Sequence, residues 1–246
     1  MRKLLASTVL MTSVAVASPA LADLITADEI ASGFGSGFSF SATGGDLTTK
    51  TVNGQEAAGV SGGPSGGEID DTLNEGEEIF GERLSGDIGI NRITLAFLFD
   101  GPEFDDFQER AQILGENEAG DVETLLVENL FEDPAVGDNT DPDLSSGDPQ
   151  IVVTRDGTDV TSSVLTGFTA ATEDGTALVE LSNPFTFEVS ELTFTAPQGT
   201  CGTGPGTCDN QSDYGIASMD VPVPGTIGLL GAGLIGLGFG LRRKAG

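Results

Sequence analysis

Oxygen-bearing side chains recur at alternate positions in Asp138-Asn139-Thr140-Asp141-Pro142-Asp143-Leu144-Ser145-Ser146-Gly147-Asp148. Hard Ca²⁺ gathers about six to eight oxygens around one centre. Asp138, Asp141, Asp143 and Asp148 are therefore the calcium candidates of the chain. The loop is not an EF-hand. Counted from Asp141, the positions that require glycine and glutamate hold Ser146 and Val152. Asp100, Glu103, Asp105 and Asp106 make a second oxygen-rich turn, and Glu68 with Asp70 follow the glycines of GGPSGG. A solvated acidic face competes with calcium at each of these places, and for Glu68 and Asp70 the exposed rim of a strand is the favoured reading.

Other chemistries are narrowed by residue type. The chain has no histidine, which removes Ser-His-Asp triads, Cys-His pairs and the usual zinc sets. Its two cysteines, Cys201 and Cys208, frame GTGPGT, and in an exported chain that spacing reads as a disulfide closing a short loop. A carboxylate pair for glycoside hydrolysis stays open among 39 acidic residues, although zero Trp and one Tyr leave few platforms for stacking a sugar. The expectation is a protein that is not an enzyme. Gly231-Ala232-Gly233-Leu234-Ile235-Gly236 has the glycine spacing of a dinucleotide loop. It lacks the following strand and the acidic residue some twenty positions on that the mechanism needs.

Those glycines belong to a different element. Val221 to Leu241 is a stretch of 21 residues without a charge that runs into Arg242, Arg243 and Lys244, the pattern of a membrane helix with a basic stop. At the other end, Arg2 and Lys3 precede an apolar run. Ala20 and Ala22 then supply the small-x-small pattern that signal peptidase accepts, so cleavage after Ala22 would make Asp23 the first mature residue. The tail VPVPGTIGLLGAGLIGLGFGLRRKAG resembles the bacterial PEP-CTERM sorting domains: Val221, Pro222 and Pro224 fit the short proline motif, Ile227 to Leu241 the glycine- and leucine-rich helix, and Arg242 with Arg243 the basic cluster. Val223 stands where most members of that family have glutamate. The resemblance implies processing by an exosortase, a Gram-negative envelope with transient anchoring in the inner membrane, and delivery to the cell surface or extracellular matrix.

Three segments follow: residues 1–22 as signal peptide, 23–220 as ectodomain and 221–246 as sorting and anchor segment. All 39 acidic residues fall in the middle one, against five basic residues (Lys50, Arg83, Arg92, Arg110, Arg155), for a net formal charge of −34. Nucleic acid is excluded as a partner, because binding it needs a cationic face. Screening ions or bound cations would relieve such a field.

The middle segment reads as β structure. Ile93, Leu95, Phe97 and Phe99 alternate with Thr94, Ala96 and Leu98. Asp156-Gly157 separates two β-branched runs as a hairpin turn would, and Asp174-Gly175 separates VLTGFTAAT from TALVEL. Phe185, Phe187, Val189, Leu192 and Phe194 fit one or two more strands, and DYGIASMDVP fits a last strand leading into the anchor. Phe104 to Asp133 fits either a helix or a hairpin of AQILGE with ETLLVE, and its glycines favour the hairpin. The glycine-rich stretch from Gly33 to Gly67 reads as flexible or as wide loops. The expected fold is one all-β, antiparallel, jelly-roll-like β-sandwich, with a signal peptide before it and a transmembrane sorting helix after it. The expected role is a structural or adhesive component of the surface or of a biofilm matrix, with extracellular polysaccharide among its partners. A calcium-dependent or carbohydrate-binding module and a secreted carboxylate hydrolase are the alternatives.

Overall fold

Short apolar stretches cut by glycine and Asp-Gly turns give sixteen strands and two single-turn helices among the described residues. The structure, a computed structural model, describes residues 22–52, 54–62, 66–70, 76–96, 110–130, 150–169, 178–197 and 212–222. The first strands are β1 (Ala22–Thr26), β2 (Phe34–Gly35), β3 (Phe38–Thr43), β4 (Leu47–Val52), β5 (Gln55–Val60), β6 (Ile69–Asp70), β7 (Glu78–Arg83) and β8 (Arg92–Ala96). They are followed by β9 (Arg110–Glu116), β10 (Val122–Leu130), β11 (Gln150–Arg155), β12 (Thr158–Asp159), β13 (Leu165–Thr169), β14 (Leu178–Ser182), β15 (Glu191–Thr195) and β16 (Asp213–Pro222). Helix α1 is Ala27–Ala31 and α2 is Thr161–Val164.

Among the described residues every strand pairing is antiparallel. One sheet runs β13-β14-β8-β16-β5-β4, with β1 and β6 also on β16; the other runs β12-β11-β10-β9-β15-β7-β3-β2. The second sheet shows the pattern of a strand with one face in the core. Ala111 and Ile113 on β9, Leu125 and Val127 on β10, Ile151 and Val153 on β11, and Leu192 and Phe194 on β15 are buried, and their neighbours are half-exposed. These side chains join Ile93 and Leu95 of β8, Val179 and Leu181 of β14, and Ile216 and Met219 of β16 in a single buried cluster. Two antiparallel sheets sharing that core are a β-sandwich.

β8 departs from simple alternation. Thr94 and Ala96 are buried as well as Ile93 and Leu95, so this strand is covered on both faces, and Ala57, Ala96 and the partly buried Ala217 and Leu178 form a small second cluster.

Local chemistry explains the turns. Asp156 and Gly157 both have positive φ (48° and 76°), the type I′ geometry that joins β11 to β12. Residues 110–130 fold as the hairpin β9–β10, with Ile113 opposite Leu125, rather than as the helix that also fitted. β13 pairs with β14. Of the Phe185–Phe194 stretch only Glu191–Thr195 is strand; Val189 makes a single bridge to Ile88. Thr26 caps α1 with a capping box completed by Glu29. Asp159 accepts from the Thr161 backbone N–H at 2.9 Å, which holds its carboxyl below the usual aspartate range.

The stretch from Gly33 to Gly67 is not a set of wide loops. It supplies β2 to β5, and Gly37, Gly44 and Gly54, at φ of 80°, 88° and 84°, sit in the connections between those strands. Ala22 to Pro222 form one compact unit. The expected membrane stretch began at Val221, but Val221 and Pro222 are the end of β16. The rest of that stretch, the leader through Leu21, Cys201 with Cys208, and the Phe97 to Asp106 segment lie outside the described residues. Among the described residues no helix is long and apolar enough to cross a membrane.

Candidate functional site

Two features stand out: a buried group of carboxylates, and the point where the last strand leaves the fold. The first is built on glycine. Gly59 of β5 lies against the carbonyl of Gly67 so closely that a Cβ there would collide with it. Two residues without side chains thus let the chain before β6 run tight against β5, where the Val60 N–H donates to the Glu68 carbonyl at 3.0 Å and the Gly67 N–H donates to the Val60 carbonyl at 2.8 Å. Strand alternation then puts Glu68 and Asp70 on the same side. Asp213 of β16 is directly opposite Asp70 in the register.

One carboxylate oxygen from each of Glu68, Asp70 and Asp213 lies within 4.8 Å of the other two. The three residues are 1%, 0% and 4% exposed. Lys50 of β4 reaches in with its Nζ 2.9 Å from Glu68 Oε1. Glu77, also buried, is anchored beside them: its Oε2 accepts from the Asp70 N–H at 3.0 Å, and its own N–H donates to the Asp70 carbonyl at 3.1 Å. Like charges directly opposite on paired strands repel, and burial strengthens that repulsion. Protons or a cation shared among the oxygens would relieve it, and an all-oxygen set of this kind suits a hard divalent ion. At this degree of burial the carboxylates can hold an ion but offer no open face to a polymer substrate.

Glu68 and Asp70 are not the exposed rim of a strand, because the glycine pair draws them inward, and Asp213 joins them only through the register of β6 on β16. The available signal was an acid amid apolar positions in two strands, Glu68-Ile69-Asp70 and Asp213-Tyr214-Gly215-Ile216. Asp138, Asp141, Asp143 and Asp148 lie outside the described residues, as do Ala20, Pro224, Arg242 and Arg243.

The second feature involves β16. Its residues Ser218 to Pro222 pair with β1, Asp23 opposite Val221 and Ala22 opposite Pro222. On the other side Asp220 is opposite Arg92 of β8, their side chains 3.2 Å apart. Val221 is 1% exposed. A proline that ends a strand has no N–H to leave unpaired.

Comparison with known proteins adds one firm result. Residues 220–244 match the PEP-CTERM protein-sorting motif, so the chain carries a sorting tail, and its last strand runs into it. That motif marks export and envelope-directed sorting and implies processing by an exosortase. No curated protein matches the sequence. One solved structure, a mutant of a family 29 carbohydrate-binding module made to probe ligand recognition, aligns over 82% of this chain and 90% of its own at 13% identity. Its TM-score of 0.28 is too low for a shared fold to be read from it.

Proposed function

We propose that this is a non-enzymatic structural or adhesive protein of the cell surface or extracellular matrix of a Gram-negative bacterium, anchored transiently in the inner membrane before its tail is processed. The observation that carries the reading is the continuity of β16 with the sorting motif: the cargo of the tail is one acidic β-sandwich. The fold's five basic residues are all engaged within it. Lys50, Arg92, Arg110 and Arg155 pair with acids, and Arg83 lies 5.3 Å over the Phe38 ring and donates to the Ser36 carbonyl. With 39 acids against these five, the net charge is strongly negative, which suits a hydrated matrix rich in cations and neutral polysaccharide.

Glu68, Asp70 and Asp213 favour a second reading, a module whose fold or ligand binding depends on calcium. One experiment separates the two. Cells lacking the chain should lose matrix cohesion or attachment. In the first reading both the native chain and an Asp70→Asn, Asp213→Asn chain restore it. In the second the native chain restores it only with calcium present, and the double variant does not. Unchanged cohesion without the protein would sink the first reading, and specific binding to one glycan would replace it with a carbohydrate-binding module.

A further inference from the structure

The sorting motif and the folded unit overlap. The motif begins at residue 220, and β16 continues through Pro222. We propose that the bond cut during processing lies C-terminal to Pro222, so that Val221 and Pro222 stay in the mature protein as the end of β16. This rests on the reading that an exosortase-type peptidase removes the tail.

Asp220 is held from both sides, and Val221 is paired on one edge and buried. β1 covers one edge, with Leu24 and Asp23 opposite Asp220 and Val221; Ala22, opposite Pro222, is the last residue of the expected leader. On the other edge the Asn91 N–H donates to the Asp220 carbonyl at 2.9 Å, and Arg92 pairs with the Asp220 side chain. Val221 itself is buried in the sandwich core with Ile25, Met219 and Ile90. A peptidase needs its substrate strand extended in a cleft with backbone groups and side chains turned to the enzyme. A strand paired with β1 along one edge, clasped at Asp220 along the other, and with the Val221 side chain in the core offers neither. Cleavage before Pro222 would also strand Val221 at a charged terminus where the core needs an apolar residue. Beyond Pro222 the next residues are Val223 and Pro224, which complete the proline motif. In the step itself water adds across one peptide bond: the retained side becomes a carboxylate and the released tail carries the new amine. The fold thus sets the N-terminal limit of the cut, and the sheet that holds β16 loses no part of that strand.

The test is C-terminal peptide mass spectrometry on the processed protein recovered from cells that make the full chain. The expected result is a C-terminus at Pro222 or later, with Asp220-Val221-Pro222 retained. A tail removed at Val221 or earlier would overturn the proposal while leaving tail processing intact. A chain recovered only with its tail uncut would overturn the processing reading and the proposal with it.

Discussion

Tyr214 is the chain's one tyrosine, and it is fully buried. Its hydroxyl donates toward the Thr195 carbonyl at 3.1 Å and the Gln112 carbonyl at 3.3 Å, tying β16 of one sheet to β15 and β9 of the other. Burial pushes its pKa well above the usual tyrosine range. A group whose folded pKa is raised gives stability that is complete below its unfolded value and lost as pH climbs toward the folded one. The phenol should therefore cost nothing up to about pH 10 and destabilise the fold above it. With no Trp and one Tyr, tyrosinate absorbance reports this cleanly: ionisation should coincide with alkaline unfolding, and titration before unfolding would contradict the buried position. Tyr214→Phe should lower stability by about 0.5–1.5 kcal/mol at neutral pH and remove this group's alkaline contribution. The carboxylates are a sharper residue-scale case. If a cation lies among Glu68, Asp70 and Asp213, Asp213→Asn abolishes calcium's effect on thermal unfolding. If the oxygens merely repel, the same change raises stability without calcium. Their acidity was visible in the sequence, but their convergence was not, because only the register of β6 on β16 places Asp70 beside Asp213.

Elements depend on local signals to different degrees. β16 was legible end to end in DYGIASMDVP, since its apolar residues and the proline that stops it are local. The Asp156-Gly157 turn was legible for the same reason. β2 to β5 were hidden: their glycines read as flexibility, whereas here they serve as turns and as places where backbones touch. Gly59 tests that account. Gly59→Ala should cost about 1–3 kcal/mol by forcing β5 and the Gly67 carbonyl apart, and an unchanged unfolding midpoint would show that the close approach is not needed. At the far end of β16, Val221→Ala removes two buried methyl-sized groups. At about 0.8 kcal/mol each plus a cavity term, it should cost about 2 kcal/mol. A null effect in denaturant unfolding would mean that the strand ends before Val221, and the argument about the cut would fall with it.

Across the whole molecule, charge and tail govern behaviour. A net −34 between Asp23 and Asp220 repels itself over distances that salt shortens, to about 10 Å at 0.1 M. The unfolding midpoint of the Ala22–Pro222 unit should thus rise with sodium chloride. Calcium should add a further rise at matched ionic strength only if an oxygen site is real. An all-β class with antiparallel strands was readable from composition and turn spacing. The order of the two sheets was not, because β16 finds β1, β5, β6 and β8 through contacts remote in sequence. The function rests most heavily on the tail matched at 220–244. The most direct measurement compares where cells place the full chain and a chain lacking Val223–Gly246, using fractionation and surface protease accessibility. Leaving Pro222 in place keeps β16 whole, so the truncated protein should still fold. The account predicts surface or matrix display for the full chain, and release to the medium or retention in the periplasm for the truncated one. Identical surface display of both would contradict it.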